Sequence, residues 1–383
     1  MLNVSNSYSL HHRTVELSSN SLQELRALLH HAPSEEGFKA ICRCIEALEE
    51  EDLGVGVDYA AEHLETWPDD VRVGLGSAAA TARWWPLVRH CLLYEEDLAS
   101  FLSLHPTDHL RGLEFGSNML GDDGFALVVS LPQLAALTTL KAANCGLTQE
   151  GLDALQDSEH MTRLTTLHLP DNDIGAEGLG ILAQCPQLAK LTALDLSSNG
   201  VEGWGLASLA QSEHVIRLTV LKLNENDIDT EGMEALADAP NMAGLETLAL
   251  SDNAVDPEGL EALATSRHMT RLTSLELSGN GFGDEGAQAL ANASNMTRLR
   301  ELDLADNELS DESAEALADA RHLSSLTTLD LSINDITVDG LAALIESPHL
   351  PRLTEFFLGD THVSEDDVEA LLSAHPNLIF HLD

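Results

Sequence analysis

A leucine recurs at a fixed step along the last two thirds of the chain. Leu110, Leu137, Leu164, Leu191, Leu218, Leu245, Leu272, Leu299, Leu326 and Leu353 stand 27 residues apart, with no insertion between them. If each is counted as position 1 of a repeat, positions 4 and 6 are apolar and alternate with outward residues, as in Leu191, Leu194 and Leu196. That period of two predicts a short, half-buried strand. Position 9 carries Asn118, Asn172, Asn199, Asn226, Asn253, Asn280, Asn307 and Asn334, with Cys145 in another copy. A buried amide there can satisfy backbone groups where the chain leaves the strand. Position 11 is apolar throughout, from Leu120 to Val363. Positions 16, 19 and 20 recur at i, i+3, i+4, as in Leu260, Leu263 and Ala264, and so form one face of a short helix. Small alanines at position 20, such as Ala183 and Ala210, let that helix lie close to the sheet. One copy cannot bury both faces alone, so the copies must stack.

These columns resemble the leucine-rich repeat, and within it the ribonuclease-inhibitor-like subclass. The resemblance covers Leu110 to Asp383. Cys145 at the Asn position is a variant known in that subclass. The uniform period departs from the inhibitor, which alternates two longer repeat types. It is similar to the strict repeats of large bacterial families. The resemblance implies an α/β solenoid, a horseshoe with a concave parallel β-sheet and outer helices. It also implies a protein partner on the concave face, and by analogy with the inhibitor a basic one.

Residues 1–109 lack the repeat and are expected to form a helical N-terminal region and α-helical cap, ahead of ten repeats and a C-terminal cap in 110–383. Ser21 to Glu50 and Ala60 to Leu64 read as helical, with Pro33 and Gly54-Val55-Gly56 as breaks. Trp67, Trp84 and Trp85 suggest a small aromatic core. A helix from Trp85 to Leu104 is expected to cover the open edge of the first repeat. Asp366 to Leu372 reads as a last helix, and Leu378 to Leu382 as a last strand.

Charge narrows the function. Asp and Glu number 64 against 19 Lys and Arg, a net charge of −45. Nucleic acid and anionic membrane surfaces should repel such a chain. No run approaches the ~20 apolar residues of a membrane span. Met1 to Ser18 lacks the order of a secretory leader. The five cysteines are an odd number without framework spacing, so reduced thiols in a cytoplasm are expected. An apolar share of 44% argues against disorder.

Much of the acid has a predicted structural role. Position 14 is acidic in nine copies, from Asp123 to Asp366, with Trp204 as the exception. Position 12 offers the helix caps Thr148, Asp229, Asp256, Ser310, Thr337 and Ser364. Position 14 then falls in the first helical turn, where an acid complements the macrodipole. Arg163, Lys190, Arg217, Arg271, Arg298 and Arg352 precede the strand leucine, and helix ends would favour them there.

No catalytic motif is present: no G-x-S-x-G, P-loop or H-E-x-x-H. His160, His214, His268 and His322 recur every 54 residues, too far apart to share a metal. No catalytic residue, cofactor or metal site is therefore assigned. The informative surface is the outward mid-strand column at position 5, which reads Glu114, Lys141, His168, Asp195, Lys222, Ala249, Glu276, Asp303, Asp330 and Phe357. Position 8 adds Asp171, Glu225, Asp252, Asp306 and Asp360, which no helix dipole explains. Trp204, Ile333 and Phe357 are apolar in polar columns and fit interface anchors. The chain reads as a non-enzymatic, monomeric protein-binding scaffold. Two alternatives stand beside this: a salt-adapted surface without a specific partner, and regulation of a GTPase, as in GTPase-activating proteins of the same repeat class.

Overall fold

Every copy forms its strand, and the strand is short. The computed structural model describes residues 20–75, 82–93, 98, 101, 106–116 and 120–382; Asn118 and Met1 to Ser18 lie outside them. The chain divides into two units, Met1–His90 and Cys91–Asp383.

In the second unit, parallel strands of three or four residues follow chain order in one sheet, from Gly112–Phe115 to Ile379–His381. Equivalent repeat positions pair without slippage, Leu194 with Leu221 and Leu302 with Leu329. Positions 4, 6 and 11 are buried in every copy, so alternation sets the register as the sequence predicts. Between strands runs a helix of eight to ten residues, for example Thr230–Ala237 and Glu365–Ala374. All six predicted caps accept a backbone N–H of their helix: Thr148, Asp229, Asp256, Ser310, Thr337 and Ser364. The acids of position 14 stand in the first turn.

The asparagines tie each repeat to the one before. Asn226 accepts from the backbone N–H of Asn199 at 3.1 Å and of Val201 at 2.8 Å. Its amide donates to the carbonyls of Leu196, Leu223 and Asn224, each at 3.0 Å. The same pattern recurs at Asn334, and Asn307 accepts from the N–H groups of Asn280 and Gly281 and donates to the Leu277 and Ala305 carbonyls. At Cys145 the thiol replaces the amide and reaches the Ala143 carbonyl at 3.4 Å.

Several expectations are corrected. The edge of the first repeat is covered by a strand: Leu93 accepts from the Gly116 N–H at 2.8 Å. Trp85–Leu87 is a single 3-10 turn and His90–Leu93 is extended, so no helix spans Trp85 to Leu104; most of the remainder of that segment lies outside the described residues. In the first unit, Glu50–His63 is one helix that runs through Gly54 and Gly56. Glycine costs a helix about 1 kcal/mol, which burial of Ala60 and Leu64 offsets. The other helices are Asn20–Leu29 and Glu35–Glu46, broken at Pro33 as expected. Trp67 and Trp85 are buried, while Trp84 is half-buried.

The basic column is also corrected. Arg163, Lys190, Arg217, Arg271, Arg298 and Arg352 are exposed and lie six or seven residues past the last residue of the preceding α-helix. A helix dipole fades within its last turn, so it does not account for them. Arg271 pairs with Glu246; among the described residues the other five form no ion pair.

Candidate functional site

Position 5 becomes a ladder of side chains across the open face of the sheet. The register places Glu114 beside Lys141, then His168, Asp195, Lys222, Ala249, Glu276, Asp303, Asp330, Phe357 and finally His381. Neighbours on the ladder are about 5 Å apart, the strand spacing.

The first half of the ladder neutralises itself. Lys141 Nζ lies 3.3 Å from Glu114 Oε2, and His168 Nδ1 lies 2.9 Å from Asp195 Oδ2. Lys222 follows Asp195 in register. Burial pushes the Asp195 carboxyl up, but hydrogen bonds from His168 and from the Ser197 N–H and hydroxyl outweigh it and hold the pKa below its ordinary value.

The second half does not neutralise itself. Glu276, Asp303 and Asp330 follow one another with no intervening cation. Among the described residues no Lys, Arg or His pairs with any of the three. Burial, and then the charges of Asp330, Glu276 and Asp252, push the Asp303 carboxyl up to about 6 against the opposing bond from the Ala305 N–H. The folded chain therefore holds a proton there that the unfolded chain releases near pH 4. Stability from this group is greatest below pH 4 and is lost as pH rises through 6. Asp303→Asn should stabilise the fold at pH 8 by about 1–2 kcal/mol, allowing for solvent screening, and change nothing at pH 4. Urea titrations at the two pH values check this.

The acids of position 8 have a structural cause that the sequence reading missed. Every described copy is left-handed there: Asn144, Asp171, Ser198, Glu225, Asp252, Gly279, Asp306, Ile333 and Asp360 all have φ between 49° and 70°. Asn, Asp and Gly tolerate that region, so most of the column is turn chemistry. Asn144 and Gly279 in the column were the available signal. Ile333 does not fit this explanation. A β-branched residue at φ 56° costs on the order of 1–2 kcal/mol, and its side chain is 52% exposed.

The remaining candidates are placed unequally. Phe357 sits on the ladder but is half-buried, stacked on the His381 ring at 4.2 Å and 12°. His381 Nε2 is 3.0 Å from Glu355 Oε1. Trp204 lies in the first turn of the helix Gly203–Ala210, in the helical layer and away from the ladder. It is 45% exposed, with its indole N–H donated to Glu202 at 2.8 Å.

The five cysteines are buried, and burial raises Cys42 and Cys185 to about 12, so these two thiols are poor nucleophiles. Among the described residues no group of three or more His, Cys, Asp or Glu is placed to hold a metal ion. No described helix is long and apolar enough to cross a membrane.

The repeat columns also match a known family of repeats. Residues 160–183, 187–210, 218–237, 245–264, 268–291, 295–318 and 322–344 match a family model described as Leucine Rich repeat. A crystal structure of an internalin from Listeria monocytogenes is similar at 19% identity, over 86% of this chain and 94% of that one, with a TM-score of 0.42. No curated protein matches the chain.

Proposed function

We propose that this leucine-rich repeat protein is a non-enzymatic scaffold that captures a basic protein partner on the open sheet face, the face expected to be concave. The observation that supports it most is the run Glu276, Asp303, Asp330. These carboxylates are directed outward, stand in register and lack an internal countercharge. A self-neutralising ladder was available to this fold, since the first half of the same column has one. Like charges on adjacent strands destabilise the sheet, and a cationic partner removes that penalty on binding. The partner's charge then contributes to on-rate and specificity.

The uniform repeats, each with a helix after its strand, support the ribonuclease-inhibitor-like style. Five cysteines, an odd number without disulfide-framework spacing, fit a reducing cytoplasm.

A triple variant, Glu276→Lys with Asp303→Lys and Asp330→Lys, should lose retention of the partner from lysate by about tenfold or more. Reversal of Glu177, Glu231 and Glu258 in the helical layer removes equal charge and should leave retention intact. Full retention by the first variant, or equal loss by both, overturns the sheet-face reading.

A further inference from the structure

Ile333 is the one described residue at position 8 whose side chain opposes its backbone. Its conformation is set by neighbours: its N–H donates to the Gly359 carbonyl at 2.7 Å, and Ser332 accepts from the Asp306 N–H at 2.9 Å. Ile333 remains about half exposed, among the few large apolar residues the fold leaves in water. Eight other described copies fill the position with Asn, Asp, Ser, Glu or Gly. An exposed apolar residue held at a positive φ points to a role outside the fold itself.

Its surroundings specify the occupant. Asp306 and Asp360 flank it in the column, and Asp330, three residues earlier, ends the strand Thr328–Asp330 that leads into its turn. A second copy of this chain, at −45, is repelled, and so is an anionic membrane. A bare cation gains nothing from an isoleucine. What fits is a cationic side chain for the acids and an apolar one for Ile333. In an extended segment, alternate side chains on one face lie about 6–7 Å apart, which spans neighbouring repeats.

We propose that Ile333 is a specificity-determining contact for an extended partner segment in which lysine or arginine stands beside an aliphatic residue. This rests on the sheet-face reading above. It adds that charge alone is insufficient: the partner must also present an apolar group next to its cation.

The test uses the full chain and two labelled, acetylated peptides of equal charge, Lys-Leu-Lys-Leu-Lys-Leu and Lys-Gln-Lys-Gln-Lys-Gln, followed by fluorescence anisotropy. The leucine peptide should bind about tenfold more tightly. Ile333→Asn should erase that preference without weakening the glutamine peptide. It should also raise Tm by about 2–4 °C, because asparagine relieves the backbone. A merely structural role would not move stability up and affinity down together. The inference is overturned if the wild-type chain shows no preference, if Ile333→Asn preserves it, or if that variant lowers Tm. If neither peptide binds, or if Asp303→Lys weakens neither, the sheet-face reading fails as well.

Discussion

Replacing Asn226 with leucine should lower the unfolding free energy by about 4 kcal/mol, although the side chains are nearly the same size. The substitution leaves the backbone N–H groups of Asn199 and Val201 without the Oδ1 that accepts them. The site is closed to water, with Asn226 only 7% exposed. A buried donor left unpaired costs about 1–3 kcal/mol, so two account for most of the loss. The leucine's own transfer out of water recovers part of it. Because each repeat is held only by its neighbours, a break at one rung weakens the stack on both sides. Urea titration followed by circular dichroism should show the loss as a lower midpoint. Asn253 provides the internal comparison: its Oδ1 accepts from Ile228 alone among the described bonds. Asn253→Leu should therefore cost about half as much, and equal losses at the two sites would show that donor satisfaction is not the cause.

That ladder was legible from sequence because an amide recurring in one column of a buried repeat has few other uses. The strands, the caps and the first-turn acids were legible for similar reasons: each depends on residue type at a fixed local spacing. What escaped depends on backbone conformation or on neighbouring repeats. The left-handed turn at position 8 made Asp171 and Asp252 look like surplus charge, when their main role is to permit a positive φ. Phe357 read as an exposed aromatic because His381, which stacks on it, lies outside the repeat count. Trp204 drew notice as the apolar exception in an acidic column, and its place in a first helical turn, read from position 14, already set it apart from the ladder. Gly54 and Gly56 read as a break because local propensity is overridden where a helix has a buried face. Of the candidate site, the acidic run was visible as a column without a cation in it, but whether a cation from elsewhere in the fold pairs with it was not. That contrast needed the pairs Lys141 with Glu114 and His168 with Asp195 on the same ladder.

Position 15 shows the same limit and leads to the second large effect. It is glycine in eight of the ten copies, from Gly124 to Gly340, and the cause lies between repeats. A Cβ on Gly205 would stand 2.9 Å from Ala176 Cα and 3.1 Å from the Ala176 carbonyl oxygen. Both are backbone atoms of the preceding helix, Gly175–Gln184, which cannot rotate aside as a side chain would. Gly205→Leu should therefore force the two helices apart and cost about 3 kcal/mol, the upper end for overpacking. The strands are joined to the helices by short turns, so the displacement would reach the adjacent rungs and the spacing of the ladder between Asp195 and Lys222. Serine is the informative control. Ser313 occupies this position in a later repeat and is buried, with its hydroxyl bonded to the carboxylate of Asp284. The residue equivalent to Asp284 opposite Gly205 is Ala176, which offers no such acceptor. Gly205→Ser should fall between wild type and leucine. Adding Ala176→Asp should recover stability, since a hydrogen bond to a charged acceptor is worth about 1.5–3 kcal/mol. Melting temperatures of the four chains check the order, and a double variant no more stable than Gly205→Ser alone would count against the close-approach account.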